Sequence, residues 1–494
     1  MTEKETLRGT HKLIDQRFEK LDELKKKGVN PYPRRWNSSH TPGELHEEYK
    51  SLSDDTWTGD IVTISGRIKL TRRMGKIAFF DIENEDETVQ LYFREEDTHD
   101  YDTISLYELG DILGVKGEVM TSRSGELTVQ VHEHTLLTKA VRPLPDKFHG
   151  VQDTEIKYRK RYLDTLMNKE SRQVFKQRDV IMHSVRSTLR QKEFMEVETP
   201  VLHPLYGGAN AKPFTTFHND LGEELYLRIS PELYLKRLLV GGFNKVFDLN
   251  RNFRNESIDT THNPEYTMLE VYEAYSDYEQ MMELTEEIFK NACIAVHGEP
   301  TCEYEDTTLD FSGSWERKTM AEAVEEELDI NVLEETEERL RTICDEKNIE
   351  YDGESWGYYV QGLFEELCEE NIIQPTFIID HPIETTPLCK PTGYDERLVE
   401  RFEPFCMGME IANAYTELND PELQRELLVE QARRKEAGDE EANPLDEDFL
   451  EAIEHGMPPA GGLGIGIDRM VMLLLDKQSI KDVILFPAMK NKDE

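Results

Sequence analysis

The sequence predicts an α+β protein in which a small N-terminal β-barrel precedes a larger mixed domain. Three observations carry this. Between residues 60 and 137, strand-length segments follow one another with glycine and polar turns between them. Farther on, VFKQRDVIMHSVRSTLRQKEFMEVETPVL reads as a long helix running into a short strand that stops at Pro200. Residues 246–275, VFDLNRNFRNESIDTTHNPEYTMLEVYEAY, read as a hydrophobic strand, a polar loop and a return strand with acidic residues built in.

Taken in order, residues 8–27 set Leu13, Ile14, Phe18, Leu21 and Leu24 at helical spacing among charges, and NPYPRRW ends that helix. Such a helix either packs on a neighbouring domain or touches RNA. This N-terminal helical region is expected over 1–55. Five segments follow: IVTISGRIKLTRR, KIAFFDIEN, TVQLYFREE, DILGVKGEVM and LTVQVHEHTLL. They suit an OB-fold barrel over 56–140, a fold whose strand face binds oligonucleotides. Arg67, Lys69, Arg72, Arg73 and Lys76 cluster here in an otherwise acidic chain. Phe79 and Gln90 lie on adjacent strands, an aromatic for stacking and an amide for reading base edges. A lone strand Phe is usually core, but the basic cluster beside it favours stacking. Residues 141–156 form a proline-containing connector, and the basic, helix-prone KYRKRYLDTLMN follows. The large domain spans 157–494, with a helix-rich acidic insertion at about 316–370.

A chain of 494 residues is long enough for two or three domains, and at 37% hydrophobic it can build a substantial core. It carries 101 acidic against 58 basic residues, a formal charge of −43. Such a surface stays hydrated at high salt, so a salt-adapted source is expected. Nucleic-acid contact is then confined to local basic patches. Six cysteines form no CxxC pair. Neither a disulfide framework nor a zinc site follows, and reduced structural thiols are expected. MTEKETLRGTHKLIDQ has no signal-type apolar core, and no run approaches the roughly 20 apolar residues of a membrane helix. A soluble cytoplasmic protein is expected.

The 246–275 hairpin offers a shelf for a nucleotide. Arginine suits phosphate, an aromatic suits a base and glutamate suits an amine. Arg254 and Glu256 close the first strand, and His262 and Tyr266 lie in and just after the loop. Glu270, Tyr272 and Glu273 lie on the return strand. When a carboxylate attacks the α-phosphate of ATP, two anions meet, and catalysis is mainly positioning and electrostatics. The planar fork of Arg254 can bridge the two. Arg469, placed by the glycine-rich turn of GGLGIGIDRM, can hold the far phosphates, with His262 as a further donor. Glu403 and Glu410 flank a strand-like segment and can hold Mg²⁺ through oxygen ligands. No GxxxxGK[ST] occurs, which disfavours Walker-type ATP use. GLGIGI has no βαβ unit after it, which argues against a dinucleotide fingerprint. Each piece alone is weak.

In combination and in order, the segments resemble the class II aminoacyl-tRNA synthetases, and within them the lysyl-tRNA synthetases, over nearly the whole chain. FMEVETPVLHPLYGGANAKPF is similar to the first class II motif, with Pro200 in the dimer-interface position. VFDLNRNFRNESIDTTHNPEYTMLE is similar to the second and GGLGIGIDRMVMLL to the third. RPLPDKFHGVQDTEIKYRKRYLD, RISPELYLKRLLVGGF and EIANAYTELNDPELQ resemble lysyl-type segments. The resemblance implies an antiparallel catalytic sheet flanked by helices, with an N-terminal OB anticodon domain. It implies ATP-dependent formation of lysyl-adenylate, transfer to tRNA(Lys), Mg²⁺ ions bridging the phosphates and a homodimer.

It also implies residue roles. Glu232 stands near the α-ammonium of L-lysine and Arg254 at its carboxylate. Glu270, Glu417, Tyr272 and Asn413 surround the ε-ammonium and its stem, with Gly208 against the substrate. The chemistry agrees, because a buried unpaired ammonium is costly and lysine carries two. Tyr266 stands where the family usually has Phe. Its flat face keeps adenine stacking, while its hydroxyl needs a partner. Phe79 and Gln90 match the family's U-recognising positions, with Arg67 beside them. Two other readings stay open. A paralogue that attaches a lysine-type group to a protein usually lacks the OB domain. A non-catalytic RNA-binding relative would be marked by loss of Arg254, Arg469 or Glu410.

Overall fold

The computed structural model describes residues 11–145, 153–439 and 441–491. The chain divides into two compact units, Met1–Asp153 with Tyr162–Lys169 and Thr154–Arg161 with Glu170–Glu494.

In the first unit, strands Trp57–Met74, Ile77–Asn84, Glu87–Arg94, Ile112–Thr121 and Leu127–Thr138 close into a barrel. The long first strand pairs with the fourth through residues 57–67 and with the second through residues 67–74. One strand thus serves two neighbours, which is how the barrel closes. Period-two alternation buries Ala78, Phe80 and Ile82 and turns Phe79 and Asp81 outward. Gly117 is required where two strands meet, since a Cβ there would lie 1.9 Å from the Gln130 carbonyl. The helix Lys12–Lys26 buries Ile14, Leu21 and Leu24, and Leu24 joins the barrel core. Its Arg17 donates to the Leu109 and Ala140 carbonyls. Residues 8–10 of the expected helix, and 146–152 of the connector, lie outside the described residues.

The second unit is built on one large sheet. Its strands run in the order 316–319, 376–382, 398–406, 412–416, 460–466, 265–274, 245–253, 195–196, with Met409–Glu410 paired to the 398–406 strand. The centre is antiparallel, and both edge pairs are parallel. The expected antiparallel catalytic sheet is present, with parallel pairing added only at its two short edge strands. One face carries Phe247, Leu249, Val271, Leu463 and Ile465 against the helices Lys169–Gln191, Tyr278–His297 and Ile467–Leu474. The opposite face carries the polar residues. The glycine-rich segment is not the turn that the sequence suggested. Ala460–Gly466 is a central strand, paired on both sides.

The 316–370 segment begins as an edge strand, Glu316–Thr319, before its helices Met320–Leu328, Glu337–Lys347 and Trp356–Leu367. These pack on their own core of Val324, Leu340 and Leu363, joined by Ile378 and Phe405 from the sheet. Among the described residues no helix is long and apolar enough to cross a membrane. The six cysteines are buried and free. Cys293, His297 and Cys302 nevertheless bring one ligand atom each within 4.8 Å of one another, a grouping their spacing did not suggest. No fourth such side chain joins them among the described residues, so a closed tetrahedral set is incomplete.

Candidate active site

Register places the site on the sheet's polar face. Glu270 lies opposite Gly464, and Gly464 lies opposite Asn413. In the next row Tyr272 faces Gly462, which faces Tyr415. The middle strand therefore offers no side chain between two rows of large polar ones. A Cβ on Gly462 would sit 1.8 Å from Glu417 Oε1, and one on Gly464 would sit 2.7 Å from Met268. Alternate glycines open a cavity, while Leu463 and Ile465 between them fill the core.

Two adjoining cavities share Arg254, Met268, Glu410, Asn413 and Gly464 as lining. Arg254 follows immediately after the strand Lys245–Phe253. Its Nε is buried without a hydrogen-bond partner, and its guanidinium stands 5.4 Å from the Tyr266 ring centre. An unpartnered guanidinium at the junction of two cavities is a site for anions from both.

The first cavity is lined by Glu256, His262, Tyr266 and Arg469. Arg469 donates to the Glu410 carbonyl at 2.6 Å and, through its other nitrogen, meets His262 Nε2 at 3.2 Å. A guanidinium can only donate, so His262 Nε2 accepts and Nδ1–H donates to Asp259 at 2.9 Å. In this arrangement the Nε2 of His262, which the sequence reading had as a donor to phosphate, is engaged with Arg469. Burial works to raise the Asp259 carboxyl, but the backbone N–H of Thr261 and the bonds from His262 hold it at about 2. The Tyr266 hydroxyl is buried and unpartnered, and burial pushes it up to about 12.

Glu410, on the short Met409–Glu410 strand, lies opposite Phe405, two residues from Glu403, so the two carboxylates leave the same sheet face from neighbouring strands. Burial and then Glu403 raise the Glu410 pKa. Glu403 is paired with Arg401, whose Nε donates to Asn413 Oδ1 at 3.1 Å. Nearby, burial and Glu365 push Glu369 to about 7.

The second cavity is lined by Gly208, Glu232, Glu270, Tyr272 and Asn413. Gly208 has φ +86°, and a Cβ there would lie 3.0 Å from the Glu232 side chain. Glu270 accepts from Ser230 Oγ at 3.1 Å and Tyr272 at 3.2 Å. Burial, then Glu232, still pushes it up to about 8. Glu417 is wholly buried behind Gly462, its Oε1 without a partner. The sequence reading missed Lys236, which pairs with Glu232 at 2.7 Å and also with Glu417. It missed Arg401, Ser230 and Tyr415 as well. The signal for Tyr415 was present, since it lies two residues from both Asn413 and Glu417 on one strand face.

On the barrel, Phe79 stacks on Tyr92 with ring centres 5.0 Å apart, and the Arg72 guanidinium lies over it at 5.9 Å. Gln90 is buried, its amide donating to Glu126 and accepting from Thr128. Arg67 donates to the Gly110 carbonyl at 2.7 Å, and burial lowers its pKa. Lys69 pairs with Glu83, and Arg73 donates to the Ile104 and Tyr107 carbonyls. Much of the basic cluster is therefore held by the barrel itself.

An antiparallel sheet with a strand–loop–strand arginine, a second arginine after a glycine-rich strand and no P-loop defines a class II aminoacyl-tRNA synthetase. The family "tRNA synthetases class II (D, K and N)" matches residues 153–490, and "OB-fold nucleic acid binding domain" matches residues 62–137. The lysine–tRNA ligase of Pelotomaculum thermopropionicum is 46% identical over 98% of this chain and 96% of its own length. That of Methanoculleus marisnigri is 48% identical over 96% and 94%, and that of Clostridium botulinum 45% over 97% and 96%. The chain belongs to the lysine–tRNA ligase family of class II synthetases.

Proposed function

We propose that this enzyme activates L-lysine with ATP to lysyl-adenylate and transfers the lysyl group to tRNA(Lys). The observation that supports it best is Arg254, whose buried Nε has no partner and which lines both a cavity with an aromatic and Arg469 and a cavity with Glu232 and Glu270, Glu417 lying behind its Gly462 wall. The lysine carboxylate oxygen attacks the α-phosphorus, and the bond to pyrophosphate breaks. Arg254 holds the carboxylate and the α-phosphate together, and Arg469, oriented by His262, holds the departing pyrophosphate. Tyr266 stacks on adenine, and Glu256 accepts from the adenine amine. A tRNA hydroxyl then attacks the carbonyl carbon of the mixed anhydride and AMP leaves.

Glu232 meets the α-ammonium. Glu270 and the free Oε1 of Glu417, reached past Gly462, meet the ε-ammonium, while Tyr272 and Asn413 flank the stem and Gly208 lets the substrate approach. Two hard carboxylates on one sheet face, with Glu410 raised beside Glu403, fit a divalent cation, whose charge would relieve that repulsion. Bound Mg²⁺ would neutralise the phosphate oxygens; Glu403 and Glu410 would hold it. Phe79 stacks an anticodon base beside Gln90 and Arg67. Exposed Leu202 and Leu205 in the first motif, with Phe217 and Leu221, suit a homodimer face. The reading places the enzyme in the cytoplasm.

ATP–pyrophosphate exchange across the amino acids tests this. Exchange with lysine alone, and charging of tRNA bearing a UUU anticodon, is expected. Exchange with aspartate or asparagine instead, or charging of a protein, would overturn it.

A further inference from the structure

The lysine pocket contains an ammonium of its own. Lys236, on the helix Glu232–Val240, has no exposed side-chain surface. Its Nζ lies 2.7 Å from Glu232 Oε1 and pairs also with Glu417 Oε2. The Tyr415 ring lies under it at 5.5 Å, and the Tyr415 hydroxyl donates to the other Glu232 oxygen at 2.7 Å. Lys236 and Glu417 are both absent from the cavity lining, so they sit behind the wall, Glu417 directly behind Gly462. The Glu417 oxygen that Lys236 leaves free, Oε1, is buried and unpartnered and points to Gly462, which lines the cavity.

Two buried carboxylates that share one space do not both stay ionised without a cation. A protonated Glu417 would no longer distinguish an ammonium from a neutral hydroxyl. With Lys236 in place the charges close. Once lysine binds and Glu270 gives up its proton, Glu232, Glu270 and Glu417 stand against Lys236 and Arg254, one negative charge in excess, which the one net positive charge of lysine balances.

Resting on the lysine reading above, we propose that Lys236 is a specificity-determining positioning residue: it holds the far oxygens of Glu232 and Glu417, so that Glu417 faces the cavity as a carboxylate and the pocket takes a cationic side chain in preference to its neutral isostere. Burial opposes the Lys236 charge, but Glu232 and Glu417 hold its pKa above the ordinary lysine value. Burial, with Glu232 and Glu270 beside it, holds the Glu417 pKa well above the ordinary glutamate value, and Lys236 is the neighbour that opposes this. Glu232, Glu270, Tyr272, Tyr415 and the Cys389 thiol are the other titratable groups around it.

The test compares lysine KM with the inhibition constant of 6-hydroxynorleucine, the neutral isostere, in pyrophosphate exchange by the full-length enzyme. K236M is expected to lose lysine preference by about ten-fold or more, through lysine KM and not ATP KM. Its lysine KM should also improve only at higher pH than in wild type. In K236M/E417Q the loss should not exceed that of E417Q alone, because the two residues act as a unit. Equal weakening of both ligands with an unshifted pH profile would overturn the proposal, as would losses that multiply in the double variant. Should K236M fail to fold, the double variant, which leaves no unpaired Glu417 charge, is read against E417Q in the same way. Should both fail, K236R decides: retained lysine preference supports the proposal, and its loss in a folded K236R overturns it. Absence of lysine-dependent exchange in the wild type would instead sink the lysine reading itself.

Discussion

Arg67 and Arg254 are both arginines that the sequence marks as binding groups, and they stand in opposite circumstances. Arg67 donates to a carbonyl of its own barrel, and its neighbours Lys69 and Arg73 are likewise occupied. Arg254 is surrounded by charge and aromatic surface yet keeps a buried Nε with no partner. The same contrast separates Gln90, whose amide is satisfied at both ends, from Glu417, whose Oε1 is not. A buried polar group left unsatisfied costs stability, and a fold keeps it only where something else will satisfy it. The catalytic cavity is built from such groups. The barrel face must bind by displacing internal bonds or by using the surface that remains, chiefly Phe79, Tyr92 and Arg72.

The largest effect is expected at Arg254. R254A should lower pyrophosphate exchange by about 10³-fold, at the upper end of removing one charge-stabilising donor, with the fold retained. Near-wild-type exchange would erase the contrast with Arg67. Next comes E417Q, which should weaken lysine by about 2–5 kcal/mol, read as lysine KM. An unchanged KM would remove Glu417 from the pocket.

A smaller effect concerns pH. The native protein keeps a proton on Glu270 up to about pH 8, whereas the unfolded chain releases it near the ordinary glutamate value. Its stabilising contribution is therefore full below that ordinary value and is lost as pH rises toward about 8. The Tm of the ligand-free enzyme should fall across that window, and E270Q should fall less. Equal slopes would contradict the burial of that charge. The smallest effects belong to the barrel. F79A should cost about 1–3 kcal/mol of anticodon binding, the range for one stacked base. The slope of tRNA affinity against log[salt] should be shallow, since few barrel cations are free for phosphate. A steep slope, measured by filter binding, would show that internally bonded cations are released on docking.

The barrel was legible in the sequence because its alternation is local, as in Ala78, Phe80 and Ile82 against Phe79 and Asp81. The 245–274 hairpin was legible for the same reason. The glycine-rich strand was not, because glycine weakens a strand locally, and only its pairing with residues 268–274 and 412–416 shows why it is needed. The parallel edges escaped too, since strands of two and four residues are set by tertiary pairing. Lys236 escaped because a lysine beside Arg237 on a short helix reads as solvated surface, and its partner Glu417 is far away in sequence. Arg401 was hidden likewise within a strand.

Lysine recognition rests on carboxylates kept uncharged or half-paired until an ammonium arrives. Calorimetry of lysine binding at pH 7, in buffers of different ionisation heat, measures the protons that move. Release of about one proton per lysine is predicted, as Glu270 falls from its raised value of about 8 on meeting the ammonium. Binding with no proton released, or with uptake, would contradict it.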